Sequence, residues 1–187
     1  MYPPKTAALF IDLALAEVGY TEGPADNETK YQKTNQPWCG AFINWVAKAA
    51  DVSIPNCVST LAGAQAFQAR AQYHPSAKAM PRRGDLAFFD FPNDSIERIS
   101  HIGLVIGHNH ETKTVTTVEG NTSGTGSQRN GGMVMIKRRS YAVGDEIVGF
   151  GRPDYAPYNG EFPKIPNQAK PVEEKKTATV KKGKKNG

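Results

Sequence analysis

Cys39 sits at the start of an apolar helical segment, Trp38-Cys39-Gly40-Ala41-Phe42-Ile43-Asn44-Trp45-Val46-Ala47, introduced by Pro37, in which Phe42, Trp45, Val46 and Ala49 share one face. A thiol in the first turn of a helix meets unpaired backbone N–H groups and the positive end of the helix dipole, and both favour thiolate over thiol. Taken alone, such a cysteine is more often a small core residue, so a nucleophile needs a partner. His101 supplies one. It stands at the mouth of the apolar stretch Ile102-Gly103-Leu104-Val105-Ile106, where a rigid strand would hold its ring as a general base. His74, His108 and His110 lie in turn or loop sequence, and a His108–His110 metal pair lacks further ligands at suitable spacing. In Val118-Glu119-Gly120-Asn121-Thr122 either Glu119 or Asn121 can orient the imidazole. Antiparallel pairing of 102–106 with 114–118 brings Glu119 beside His101, which makes Glu119 the first choice and Asn121 the second.

The elements that must position these groups follow from periodicity. Thr6 can cap a helix with Leu9, Phe10, Leu13 and Val18 near helical spacing; the helix of Cys39 follows, and a third is expected over about 60–73 with Leu61, Ala64, Phe67 and Ala71 inward. From Pro81 the period changes, and 86–91, 102–106, 114–119, 133–137 and 147–151 read as strands, with turns at Asn130-Gly131-Gly132 and Val143-Gly144-Asp145. Helices first and a mostly antiparallel sheet second is an α+β layout, with five to six strands expected. Trp45, Phe88, Phe89 and Phe91 read as core, while Trp38 is a candidate for lining a groove.

Length and composition agree with one folded unit. The 187 residues are 39% apolar and 22% charged, enough for a single core and too few for two. Seven Lys and two Glu fall in residues 168–187, so the tail carries the whole net charge of +5 and the rest is neutral. A global basic bias for nucleic acid is therefore absent, and no nucleic-acid partner is expected. Beyond Tyr155, Pro157, Pro163, Pro166 and Pro171 precede the Lys run, so 156–187 reads as a linker and a disordered tail after a domain of residues 1–155. Cys39 and Cys57 are expected to be reduced. The apolar run 7–18 is interrupted by Asp12 and Glu17 and has no basic leader segment, so neither a signal peptide nor stable membrane insertion is expected.

Gln36-Pro37-Trp38-Cys39-Gly40, Arg83-Gly84-Asp85-Leu86 with Phe88-Phe89, His101-Ile102-Gly103, Glu119-Gly120-Asn121 and Gly151-Arg152-Pro153-Asp154-Tyr155 occur in that order. Over residues 6–155 this series resembles the CHAP family of cysteine amidases and peptidases, within the NlpC/P60-like superfamily, and in particular the catalytic domains of bacteriophage endolysins. The resemblance implies a papain-like α+β fold, with the Cys39 helix packed on a sheet bearing His101 and Glu119. It also implies peptidoglycan as substrate, cut either between N-acetylmuramic acid and L-alanine or within stem or bridge peptide. In such an enzyme Cys39 attacks, His101 moves the proton, Glu119 or Asn121 orients His101, and the Cys39 N–H with the Gln36 side chain receives the oxyanion. Trp38 would contact substrate. No cofactor is required, although some CHAP domains bind calcium, for which Asp26, Asn27 and Glu28 are the weak candidates here. The Lys-rich tail would contact anionic wall polymers. A monomeric lysis enzyme in the host cytoplasm until release is the expected setting; a virion-associated lysin, a transpeptidase and a non-catalytic wall-binding module are the alternatives.

Overall fold

Thr6 begins the first helix as expected, accepting the Leu9 N–H at 3.2 Å through its hydroxyl. The computed structural model describes residues 1–92, 94 and 98–166. Within them, helices α1 (Ala7–Ala16), α2 (Cys39–Ala49) and α3 (Thr60–Ala69) precede strands β1 (Tyr73–Pro75), β2 (Leu86–Phe89), β3 (His101–Asn109), β4 (Thr114–Thr122), β5 (Met133–Ser140) and β6 (Ile147–Gly151). The strands form one antiparallel sheet in the order β1-β6-β2-β3-β4-β5. This is the α+β, papain-like layout, with six strands. The additional strand, β1, falls where α3 was expected to continue: Ala71 adopts φ +54°, a conformation that ends a helix, and the chain turns out to pair with β6.

Both faces of the sheet are covered. On one, Phe10, Ile11, Phe42, Ile43, Val46 and Phe67 of the helices pack with Phe88, Ile102, Leu104 and Val118. On the other, Phe89, Phe91, Val105, Val115, Ile147 and Phe150 form a second cluster. α2 is the helix laid against β3 and β4, and its start is pressed onto the segment before α3: a Cβ on Gly40 would lie 1.7 Å from the Cys57 carbonyl oxygen. Only glycine permits that approach.

Two of the ordered sequence motifs act as staples. Arg152 Nε and Nη2 donate to the two Asp85 carboxylate oxygens at 2.9 and 2.8 Å, and the Tyr155 hydroxyl donates to the Gly84 carbonyl at 2.6 Å. They tie the residues before β2 to the segment after β6.

The expected boundary at Tyr155 needs correction. Ala156 N–H donates to the Lys5 carbonyl at 2.8 Å, Tyr158 meets the Tyr2 ring edge-on, Arg83 lies over the Phe162 ring, and Ile165 reaches Gly107. Phe162 and Ile165 pack against the main core. Single apolar residues among prolines have no period to detect, yet Phe162 and Ile165 both find places against the core. The tail at 167–187, including the Lys run, lies outside the described residues.

Truncation after Tyr155 should therefore cost stability. Two partly buried apolar side chains contribute about 1–2 kcal/mol each, so the melting temperature should fall by about 4–16 °C. Thermal denaturation of the truncated and full chains checks this, and equal melting temperatures would restore the boundary at 155.

Candidate active site

Cys39 is the first residue of α2 and only 3% exposed. The residue before it, Trp38, makes no side-chain cap, so no side chain competes for the first N–H groups of the helix. Those donors and the dipole face any negative charge that forms at Cys39.

His101, the first residue of β3, is fully buried, and so is Glu119 of β4. His101 Nε2 lies 3.1 Å from Glu119 Oε2. An ionised carboxylate can only accept, so Nε2 carries the hydrogen and Nδ1 is the nitrogen left to exchange a proton. Nδ1 is buried and has no hydrogen-bond partner, and the Cys39 side chain is the nearby group that acts on the ring. Burial by itself would lower the His101 pKa, but interactions with the Cys39 side chain and the Glu119 carboxylate outweigh it and raise it from 6.5 to about 9. The charged form of the His101 ring is thus favoured between Glu119 and the Cys39 side chain.

Glu119 is held in turn by groups that the sequence motifs did not reveal. Arg139 on β5 donates to it twice, Nε to Oε1 at 2.9 Å and Nη2 to Oε2 at 2.7 Å, and the Thr117 hydroxyl donates to Oε1 at 2.6 Å. Burial would raise the Glu119 pKa, yet Arg139 and His101 keep it well below the ordinary 4.5. Arg139 also reaches Glu146 and Gln128, and its guanidinium lies over the Phe89 and Phe91 rings. A Cβ on Gly103 would come within 2.8 Å of Glu119 Cγ, so the glycine after Ile102 makes the space that the carboxylate side chain fills. Arg139 carries no motif; its only advance signal was a buried acid needing a cation.

The other expected site residues fall elsewhere. Asn121 does not reach the imidazole. It sits at φ +57° in an irregularity of the β4–β5 pairing, donating to Asn27 Oδ1 and Asn130 Oδ1 and accepting from Gly132 N–H. Trp38 does not line a groove: it has no exposed surface, donates to Glu22 at 2.9 Å and stacks on Tyr31. Gln36 is exposed on the wall of a cleft of about 290 Å³ that Pro37 and Ser100 also line. Asn27 donates to Asp26, and Glu28 accepts the Ala25 N–H, so this stretch builds a turn. Among the described residues no three His, Cys, Asp or Glu side chains converge as a metal site, and no helix is long and apolar enough to cross a membrane. Cys39 and Cys57 are both free; the Cys57 thiol bonds to the Pro55 carbonyl, and burial pushes its pKa up to about 12.

Residues 31–121 match the family model of the CHAP domain. This stretch is similar to CHAP domains. CHAP domains are amidase- and peptidase-type hydrolases associated with peptidoglycan, and the matched residues include Cys39, His101 and Glu119 but stop short of Arg139. No curated protein matches the chain. Among solved structures, Ly7917 is similar at 14% identity and TM-score 0.49, over 79% of this chain and 62% of that one. A protein described as similar to lipoprotein, NLP/P60 family, from Staphylococcus aureus subsp. aureus Mu50 is similar at 17% identity and TM-score 0.42, over 81% and 42%. The chain thus spans less than two thirds of either.

The raised His101 pKa stabilises the fold below about 6.5, and this is lost as pH rises through about 9. The depressed Glu119 pKa stabilises it above 4.5 and is lost as pH falls through its lowered value. The melting-temperature gap between wild type and Glu119→Gln should accordingly be widest between pH 4.5 and 6.5, and narrow on either side. A gap independent of pH would show that Glu119 does not interact with His101 through charge.

Proposed function

We propose that this CHAP-like domain is a cysteine-type peptidoglycan hydrolase of the phage endolysin kind, an N-acetylmuramoyl-L-alanine amidase or an endopeptidase, using Cys39, His101 and Glu119. The observation that carries this reading is the imidazole fixed through Nε2 to a buried, charge-balanced carboxylate, with Nδ1 unpartnered at the start of the helix that bears Cys39.

In the reaction, Cys39 sulfur passes its proton to His101 Nδ1 and attacks the amide carbonyl. The oxyanion forms against the Cys39 N–H, with the Gln36 amide reaching over from the cleft wall. Imidazolium then protonates the leaving amine, which departs from a thioester at Cys39. Water enters, His101 takes its proton, and the thioester breaks to carboxylic acid and free thiol. Glu119 stays ionised throughout, keeping the hydrogen on Nε2 and stabilising each imidazolium. The buried, high-pKa Cys57 thiol has no part in these steps. The setting is a lysis enzyme that meets the wall once the host membrane is permeable, with its Lys-rich tail concentrating it on anionic wall polymers.

Mass spectrometry of purified peptidoglycan after incubation tests the chemistry. New fragments are expected from wild type and Cys57→Ala and none from Cys39→Ala; a free lactyl group identifies the amidase and a new peptide terminus the endopeptidase. Fragments that persist in Cys39→Ala, or their absence from several wall types with a folded wild-type protein, would reject it.

Tail attraction is tested separately by truncation after Pro166, which keeps the packed segment. Wall binding of the full chain should weaken from 50 to 300 mM salt, and that salt dependence should vanish on truncation. Equal salt dependence in both would remove the tail from the account.

A further inference from the structure

The cleft of about 290 Å³ is walled by Gln36 and Pro37, by Val58, Ser59 and Thr60 at the start of α3, by Ser100 next to His101, and by Arg98 and Arg129. It begins within a few residues of both reacting groups, since Pro37 lies two before Cys39 and Ser100 one before His101. The Thr60 hydroxyl donates to the Ile99 carbonyl at 3.2 Å, which ties the α3 wall to the chain entering β3. Its charged residues are both arginines.

Arg129 is held in place by an ion pair with Asp94, Nε to Oδ2 at 3.2 Å, and its side chain is 28% exposed. It also borders a second cleft of about 500 Å³ with Phe91, Asp94, Gln128 and Glu146, so it stands on the ridge between the two. The ion pair holds the Arg129 side chain at the cleft rim, and a guanidinium there can meet a carboxylate with two hydrogen bonds. The cleft wall includes neighbours in sequence of both Cys39 and His101, so a peptide bound in it would lie near those two residues.

Resting on the hydrolase reading above, we propose that Arg98 and Arg129 bind a free carboxylate of the peptidoglycan stem peptide, so that the enzyme prefers stems carrying an acid over stems in which that acid is amidated. Peptide carboxylates are the anionic groups closest to any amide the enzyme could cut, and two arginines beside the reacting groups discriminate an acid from its amide by charge. Losing one charged hydrogen-bond partner changes binding by about tenfold or more.

The test uses muropeptides identical but for a second stem residue that is D-isoglutamate or its amide. Binding is measured by calorimetry to the full-length Cys39→Ala protein, which cannot turn them over. The acid form should bind at least about tenfold more tightly, and adding Arg129→Gln or Arg98→Gln should bring the ratio close to one. Equal binding of the two forms, no binding of either, or a ratio untouched by both substitutions would overturn the proposal. Hydrolysis of the same peptides by wild type is scored apart. Acid-selective binding without hydrolysis refutes the hydrolase reading and keeps the carboxylate site; hydrolysis without acid preference does the reverse.

Discussion

A carboxylate with no solvent contact has to be solvated by the protein itself, and Glu119 is the group around which this site is arranged. Isolated in the interior, its charge would be expelled as a raised pKa. Three side chains prevent that: Arg139 through a two-point contact, Thr117 through its hydroxyl, and His101 through Nε2. Only the last is the proposed base; the other two keep the anion available to it. Removing one partner of such a buried pair typically costs about 3–5 kcal/mol, because the other charge is left stranded. The same contacts therefore order the site and set its protonation.

The backbone makes this arrangement affordable in space. Thr117 and Glu119 alternate onto one face of β4, while Val115 beside them pairs with Arg139 of β5, so the arginine reaches along the sheet to the acid. Gly103 on β3 leaves room for the glutamate side chain, and Gly40 lets α2 settle on the Cys57 backbone. Cys57 thus matters through its carbonyl and its packing, and the contrast between two buried cysteines comes from what surrounds each: Cys39 sits at a helix start with an imidazole, Cys57 against a backbone carbonyl.

Much of this was legible in the sequence. The helical spacing of Phe42, Trp45 and Val46 and the alternation in the strands revealed the α+β layout, because those periods are imposed by burial on one face. Glu119 beside His101 followed from strand pairing. Arg139 did not, since its partner is distant in sequence and an arginine among Lys137, Arg138 and Arg139 looks like an ordinary polar strand. Asn121 looked like an alternative to Glu119 because an amide can orient imidazole; the positive φ that turns it toward Asn27 and Asn130 comes from the break in β-pairing. Trp38 has a polar edge suited to a groove, and the partner that buries it, Glu22, lies in a segment without regular period. The short strand β1 and the packed stretch 156–166 escaped notice for a common reason: their places are set by surfaces formed elsewhere in the chain.

β5 is the outermost strand on its side of the sheet, beyond β4. It brings Arg139, the main counter-charge of a fully buried site, to the sheet edge, where strands separate most readily from their neighbours. Opening of that edge would withdraw the cation from Glu119 while leaving the contacts between the helices and the central strands in place. Gradual warming should accordingly loosen the buried site first, as the rim opens, and bring the cooperative collapse of the core only later.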